Sequence, residues 1–140
     1  MGNPIVHVDI IGPEPDELRR FYRELFGWDA QAGAPVAPEV SDPGAYSFIG
    51  PGEGAAAVPA GIGGGPSFPP RAMFYVGVDD VEAALATAVR LGGRRLLGPA
   101  LNAQGGVVVG HLEDPAGNVV GVAAAAPVGA DDEEGATPTG

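Results

Sequence analysis

The 140 residues carry 18 acidic against 7 basic side chains, a formal net charge of −11, with no cysteine and with arginine as the only strong base. That balance excludes the basic footprint that nucleic acid requires, and the missing thiols and amines exclude disulfides, thiolate metal sites and Schiff-base chemistry. No apolar run is long enough to cross a membrane, and Met1-Gly2-Asn3-Pro4 lacks the basic-then-apolar order of a secretory leader, so a cytoplasmic protein is expected.

Ile5-Val6-His7-Val8-Asp9-Ile10-Ile11 alternates β-branched residues with His7 and Asp9, the pattern of a strand. Pro13-Glu14-Pro15 then opens a helix: Pro15 suits the first turn, Asp16 and Glu17 complement the positive end of the helix dipole, and Arg23 lies toward the other end. Leu18, Phe21, Leu25 and the flanking Tyr22 and Phe26 form a stripe expected to pack on a sheet, and Gly27 is a left-handed stop. Arg19, Arg20 and Arg23 read as a solvated helix face, and Trp28 opens a short strand. After a Pro-rich loop from Gly33 to Gly44, Ala45–Ile49 and Ala55–Val58 read as two strands across a Gly-Pro turn. Gly61–Pro70 shows no periodicity and reads as a linker. Its Gly61-Ile62-Gly63-Gly64-Gly65 run is not a phosphate loop, since no Lys-Ser/Thr ending and no helix follow.

The pattern then restarts. Met73–Val78 is a strand, and Asp79-Asp80-Val81-Glu82 resembles a capping box with Asp79 as cap and Glu82 three residues on. Val81, Ala84, Leu85, Ala88 and Val89 make the buried face of a second helix that Gly92-Gly93 stops. Arg94–Leu97 reads as a short strand. Gly106–Leu112 and Asn118–Ala123 pair across Asp114-Pro115-Ala116-Gly117, which has Pro and Gly where a tight turn wants them. Residues 127–140 are acidic and apolar-poor, a disordered tail by composition.

Strand-helix-three-strands therefore occurs twice. The chain reads as one α+β domain over 1–126, with a first module at about 4–60, a linker at 61–70 and a second module at about 71–126. Two such sheets placed edge to edge curl into a cup whose inner face is roomy, because many of its side chains are small.

His7-Val8-Asp9-Ile10 followed by Phe21-Tyr22-Arg23-Glu24-Leu25-Phe26-Gly27-Trp28 resembles the opening of a vicinal-oxygen-chelate domain. Val76–Ala84 with Leu91-Gly92-Gly93 resembles the opening of its second module, and Asp114-Pro115-Ala116-Gly117-Asn118-Val119-Val120-Gly121 its closing hairpin. The resemblance is to the glyoxalase/bleomycin-resistance/extradiol-dioxygenase superfamily. It implies two β-α-β-β-β modules forming a cup-shaped mixed sheet, and in metal-dependent members a divalent ion held by four inner-strand side chains. His7 matches the first of these ligands. The other three positions fall at Met73, at Gly121, and at Ala57 or Pro59. One imidazole does not hold a divalent cation, so neither a metal nor any other cofactor is expected.

Strand alternation puts His7 and Asp9 on the inner face, with Met73 and Tyr75 on the corresponding face of the second half. The resemblance places His111 on that face too, with Glu113 following. His7, Asp9, Met73, Tyr75, His111 and Glu113 are thus the candidate floor of a cup for a small organic ligand, which the acidic balance would favour as neutral or cationic. The blander reading makes His7 a relic, His111 a rim residue, and Asp9 and Glu113 solvated strand charges. The alternative function is catalytic: a metal-dependent lyase or dioxygenase with unusual ligands, or a metal-free isomerase using His7 or His111 as base. Members of this superfamily occur as monomers and as dimers, which leaves a homodimer open.

Overall fold

A computed structural model describes residues 2–50, 57–102 and 106–126; the predicted disordered tail lies outside them. The order strand-helix-strand-strand-strand appears twice. It runs β1 (Ile5–Gly12), α1 (Pro15–Phe26), β2 (Gln31–Ala32), β3 (Ser47–Ile49) and β4 (Ala60–Gly64), then β5 (Arg71–Gly77), α2 (Val81–Arg90), β6 (Arg94–Asn102), β7 (Val107–Glu113) and β8 (Val119–Ala125). Among the described residues the strands form one mixed sheet in the order β2-β3-β4-β1-β5-β8-β7-β6. The two modules meet antiparallel at β1 and β5, while each module's first strand runs parallel to its last.

The order is symmetric about the β1–β5 seam. With Val8 opposite Phe74 at its centre, His7 and Met73 are equivalent positions, as are Asp9 and Tyr75. The sheet is strongly curled. β1 and β6 are separated by β5, β8 and β7, yet Ile11 and Ala100 belong to the same buried cluster, bridged by Ala37 and Val40. Those last two come from the loop between β2 and β3, which folds onto the cup's inner face. Its anchor is the buried Ser41, whose Oγ accepts from Gly64 N at 2.9 Å, and Asp42 N donates to Gly64 O, also at 2.9 Å. On the other face, Val81 and Leu85 of α2 pack on Val108, Leu112, Val122 and Ala124.

Several local expectations need correction. The last strand of the first module is β4, inside the stretch read as a linker, not Ala55–Val58. Ala57 and Val58 are in no strand, and residues 55 and 56 lie outside the described ones. β6 runs past Leu97 through a cis Gly98–Pro99 bond to Asn102. The cap of α2 is Asp80 rather than Asp79, because the helix starts at Val81 and Ala83 N donates to Asp80 Oδ1 at 3.0 Å. Pro15 and Gly27 do bound α1 as expected, Gly27 with φ 75° and its N–H donating to Arg23 O.

The α1 stripe is not covered as predicted. No residue of that helix is buried, and Phe21, Leu25 and Phe26 are each 56% exposed. Trp28 forms no strand; it stacks on Tyr22 with ring centroids 5.4 Å apart. Arg19 is not part of a free solvated face either. It pairs with Asp16 and donates to Ala45 O at 2.9 Å and Ser47 Oγ at 3.0 Å, tying α1 to the start of β3. No helix among the described residues is long and apolar enough to cross a membrane.

Candidate functional site

The strand registers assemble the inner face of the cup row by row. His7 is opposite Tyr75, Tyr75 opposite Gly121, and Gly121 opposite His111, a continuous line across β1, β5, β8 and β7. The neighbouring line runs Phe48, Gly61, Asp9, Met73 across β3, β4, β1 and β5. The side-chain period of two along each strand keeps all of these on one face.

Asp9 is the centre of the first module's polar cluster. It is 2% exposed, so its carboxylate must be hydrogen-bonded to be tolerated. Tyr46 Oη donates to Asp9 Oδ1 at 2.5 Å, and His7 Nε2 lies 2.8 Å from both that oxygen and the phenol oxygen. With Asp9 as a carboxylate, the arrangement requires His7 Nε2 to carry the hydrogen. His7 Nδ1 is then the acceptor, with no hydrogen-bond partner among the described residues. The imidazole is further held by Phe48 stacked at 6.1 Å and by the edge of Tyr75 at 5.6 Å. Burial, then the Asp9 charge, holds the Tyr46 phenol above its ordinary range, so it stays a donor at neutral pH.

Tyr46 is the site residue that sequence reasoning missed. Its backbone is fixed on several sides: Arg19 binds the residues before and after it, and Gly33 N and Ala34 N both donate to Tyr46 O. The ring lies across β4, where a Cβ on Gly61 or Gly63 would collide with it. The signal was available in the alternating glycines at 61 and 63, which on one face of a strand call for a large neighbour to fill the gap.

The second module repeats the device. The Tyr75 ring lies across Gly121, where a Cβ would meet it, and its hydroxyl is 2.8 Å from His111 Nε2. Here the histidine is sealed: Tyr75 and His111 are each 2% exposed. Burial, then the nearby Arg71 charge, lowers His111 to about 4, so the imidazole is neutral at pH 7. Burial, then Asp9, raises the Tyr75 phenol.

A cavity of about 820 Å³ opens above the first cluster. His7, Asp9, Tyr46 and Tyr75 reach it from the floor, Val36 and Val40 line it from the β2–β3 loop, and Val107 and Val109 from β7. Asp79 is at its rim, and no arginine or lysine is among its lining residues. The remaining candidates are elsewhere. Met73 is 5% exposed in the core. Neither it, His111 nor Glu113 lines the cavity, and Glu113 accepts from Arg94 Nε at 3.1 Å.

A divalent ion at the cup floor needs at least three donors of suitable type. Among the described residues no group of three His, Cys, Asp or Glu converges for one. His7 and Asp9 are bonded to each other, and the third group is a phenol whose hydrogen Asp9 accepts. The fourth-strand ligand position expected at Ala57 or Pro59 corresponds in the observed register to Gly61, opposite Asp9. Gly61 and Gly121 are thus symmetric positions, each without a ligating side chain and each covered by a tyrosine ring. The residues present do not fit a metal there.

A glyoxalase-like domain model matches residues 6–123. "Putative glyoxylase CFP32" of Mycobacterium bovis is 32% identical over 117 residues, and its Mycobacterium tuberculosis counterpart gives the same figures. The match covers 82% of this chain, which spans only 43% of the relative's length. Among solved structures, a Streptomyces coelicolor methylmalonyl-CoA epimerase variant in complex with 2-nitronate-propionyl-CoA superposes with a TM-score of 0.62 at 17% identity, covering 89% of this chain and 99% of that one. Methylmalonyl-CoA epimerase from Mycobacterium tuberculosis gives 0.57 at 15% identity, with 88% of both chains covered. At such identities the structural matches speak to the fold. The two-module cup and the family match over nearly all the described residues together make the chain a member of the glyoxalase-like domain family, within the vicinal oxygen chelate superfamily.

Proposed function

We propose that this domain binds a small organic molecule, neutral or cationic, in the cavity above His7, Asp9 and Tyr46, and that it does so without a metal at that site. The observation that carries this reading is the composition of the cavity: apolar walls, a buried carboxylate at the floor, and no cationic side chain to meet an anion. An apolar body rests against Val36, Val40, Phe48 and Val109, while a hydroxyl, amide or ammonium donates to Asp9 or to His7 Nδ1. A ligand carboxylate or phosphate placed there would face Asp9 with no counter-charge. The fold neighbours complexed with acyl-CoA compounds therefore do not carry their ligand class over to this chain.

A second reading has one specific support. His7 is held by Asp9 at 2.8 Å yet its side chain remains 19% exposed, the arrangement of a base whose orientation is fixed by a carboxylate. Metal-free proton abstraction from a bound carbon acid would use His7, not the sealed His111.

Isothermal titration of a panel of aromatic amines against size-matched carboxylic acids tests the binding reading. Amines or neutral analogues are expected to bind, with affinity falling about tenfold or more in Asp9→Asn. Equal binding of the acids, or hits unaffected by Asp9→Asn and His7→Ala, would overturn it. Solvent deuterium exchange into a bound hit that disappears in His7→Ala would favour the catalytic reading.

A further inference from the structure

A second concavity, of about 640 Å³, lies where β5 and β8 part. The two strands are paired only from Tyr75 opposite Gly121 to Gly77 opposite Ala123. Before that point they splay, leaving a cleft lined by Met73, Phe74, Val119 and Val120.

Arg71, the first residue of β5, also lines this cleft. It is the anomaly of the molecule's electrostatics. Its Nε is buried with no hydrogen-bond partner among the described residues, the one such side-chain atom there. Its guanidinium makes no ion pair with a described residue either. Arg19, Arg94 and Arg95, by contrast, each have a carboxylate. In a chain with 18 acidic residues an unpaired, partly desolvated guanidinium is not for want of candidates. The carboxylate that lines the same cleft, Asp114, is committed to its own turn. Its Oδ1 accepts from Ala116 N and Asn118 N, and its Oδ2 from Asn118 Nδ2, each at 2.9 Å. An exposed arginine without a partner is ordinary, but a buried Nε–H without one costs stability in the free protein. A bound acceptor would offset that cost.

We infer that Arg71 is the anchor of a second ligand site, in the cleft between β5 and β8, that takes an organic carboxylate with an apolar body. The planar fork of the guanidinium matches a carboxylate through two parallel N–H donors. The Met73, Phe74, Val119 and Val120 walls provide for an aromatic or branched body and offer nothing to the remaining oxygens of a free phosphate. Arg71 gives this cleft a cation that the cavity above Asp9 lacks, so the two would select different ligands from one mixture.

The test is a titration of the full chain with sodium benzoate, followed through the arginine Nε–Hε resonances in a nitrogen–proton correlation spectrum, with acetate and inorganic phosphate in parallel. One Nε–Hε signal is expected to shift saturably with benzoate and to be missing from the spectrum of Arg71→Gln. The backbone amide signals of β5 and β8 beside the cleft, present in every variant, should shift along with it and give the affinity of Arg71→Lys. Acetate and phosphate are expected to bind about tenfold more weakly. Arg71→Lys, which keeps the charge and loses the fork, should weaken benzoate by about as much. If Arg71→Gln does not fold, the wild-type and Arg71→Lys titrations still decide. A saturable signal weakened by lysine supports the site, and the absence of any saturable Nε–Hε shift overturns it. Phosphate binding as tightly as benzoate, or benzoate binding undiminished in Arg71→Lys, would overturn it as well.

Discussion

In the first module the Tyr46 ring covers Gly61 and its hydroxyl meets His7; in the second the Tyr75 ring covers Gly121 and its hydroxyl meets His111. The glycines are symmetry-equivalent, the hydroxyl-to-nitrogen distances are both 2.8 Å, and yet the two clusters differ in what surrounds them. Asp9 adds a carboxylate to the first, and the cavity leaves the His7 side chain 19% exposed. The second has no carboxylate bonded to its histidine, and that histidine does not reach the cavity. The same tyrosine-over-glycine device thus makes a polar cavity floor in one half and a piece of core in the other. Access and one acidic residue separate them.

The largest effect is expected where the device is most tightly closed. Gly121→Glu would put a carboxylate at one of the positions where the resemblance places a metal ligand, but its Cβ would run into the buried Tyr75 ring. Overpacking plus a buried carboxylate should cost about 3 kcal/mol or more in urea denaturation. Gly121→Ala should cost about 1–3 kcal/mol by overpacking alone, and most of that should vanish in a Tyr75→Ala background. A Gly121→Ala penalty unchanged by Tyr75→Ala would mean that the ring is not what reserves the glycine.

The sealed histidine sets the next largest effect. His111 titrates at about 4 in the folded protein against its ordinary 6.5, so between those values the unfolded chain binds more protons than the folded one. Stability is therefore full above pH 6.5 and is lost as pH falls toward 4, by at most about 3 kcal/mol from this group. Denaturation midpoints measured across that window should fall in the parent and flatten in His111→Gln. A window just as steep in the variant would place the acid sensitivity on other groups.

These two clusters also show what could be read from residues alone. The β1–α1 and β5–α2 units were legible because Pro15, Gly27 and the spaced Val81, Ala84 and Leu85 act locally. So was the closing hairpin, whose turn is built from Asp114 and Gly117. β4 was not, because three of its five residues are glycine, and strand periodicity cannot register where side chains are absent. Tyr46 was hidden for the same reason: its partner surface is made of missing side chains. The α1 stripe misled in the opposite sense. Helical spacing reports a common face, not what covers it, and Phe21, Leu25 and Phe26 remain largely exposed.

A smaller effect is expected at the open cluster. Tyr46→Phe keeps the ring over Gly61 and removes the hydroxyl that donates to the buried Asp9. His7 remains as a second donor, so the loss should be about 1–2 kcal/mol rather than that of an orphaned carboxylate. Removing the same atom in Tyr75→Phe leaves the Tyr46–Asp9 bond in place and should cost a similar amount while weakening ligand binding less than Tyr46→Phe does. Binding that falls equally in both variants would contradict the division into floor and core.

The smallest expected difference lies in how each module starts its helix. α1 begins after Glu14 with no side-chain cap and relies on Pro15, Asp16 and Glu17 in its first turn. α2 begins after Asp80, whose Oδ1 accepts from Ala83 N at 3.0 Å. Asp80→Ala should therefore cost about 1 kcal/mol, whereas Glu14→Ala removes no cap hydrogen bond and should be close to neutral in the same denaturation assay. The asymmetry has a structural reason. α2 buries Val81 and Leu85 on the sheet, with Val81 in its first turn, so the cap fixes the residue that begins the packing. α1 has no fully buried residue, so a sharper start would have less packing to place. Equal costs for the two substitutions would mean that the first turn of α2 is held by packing alone and that the Asp80 bond is incidental.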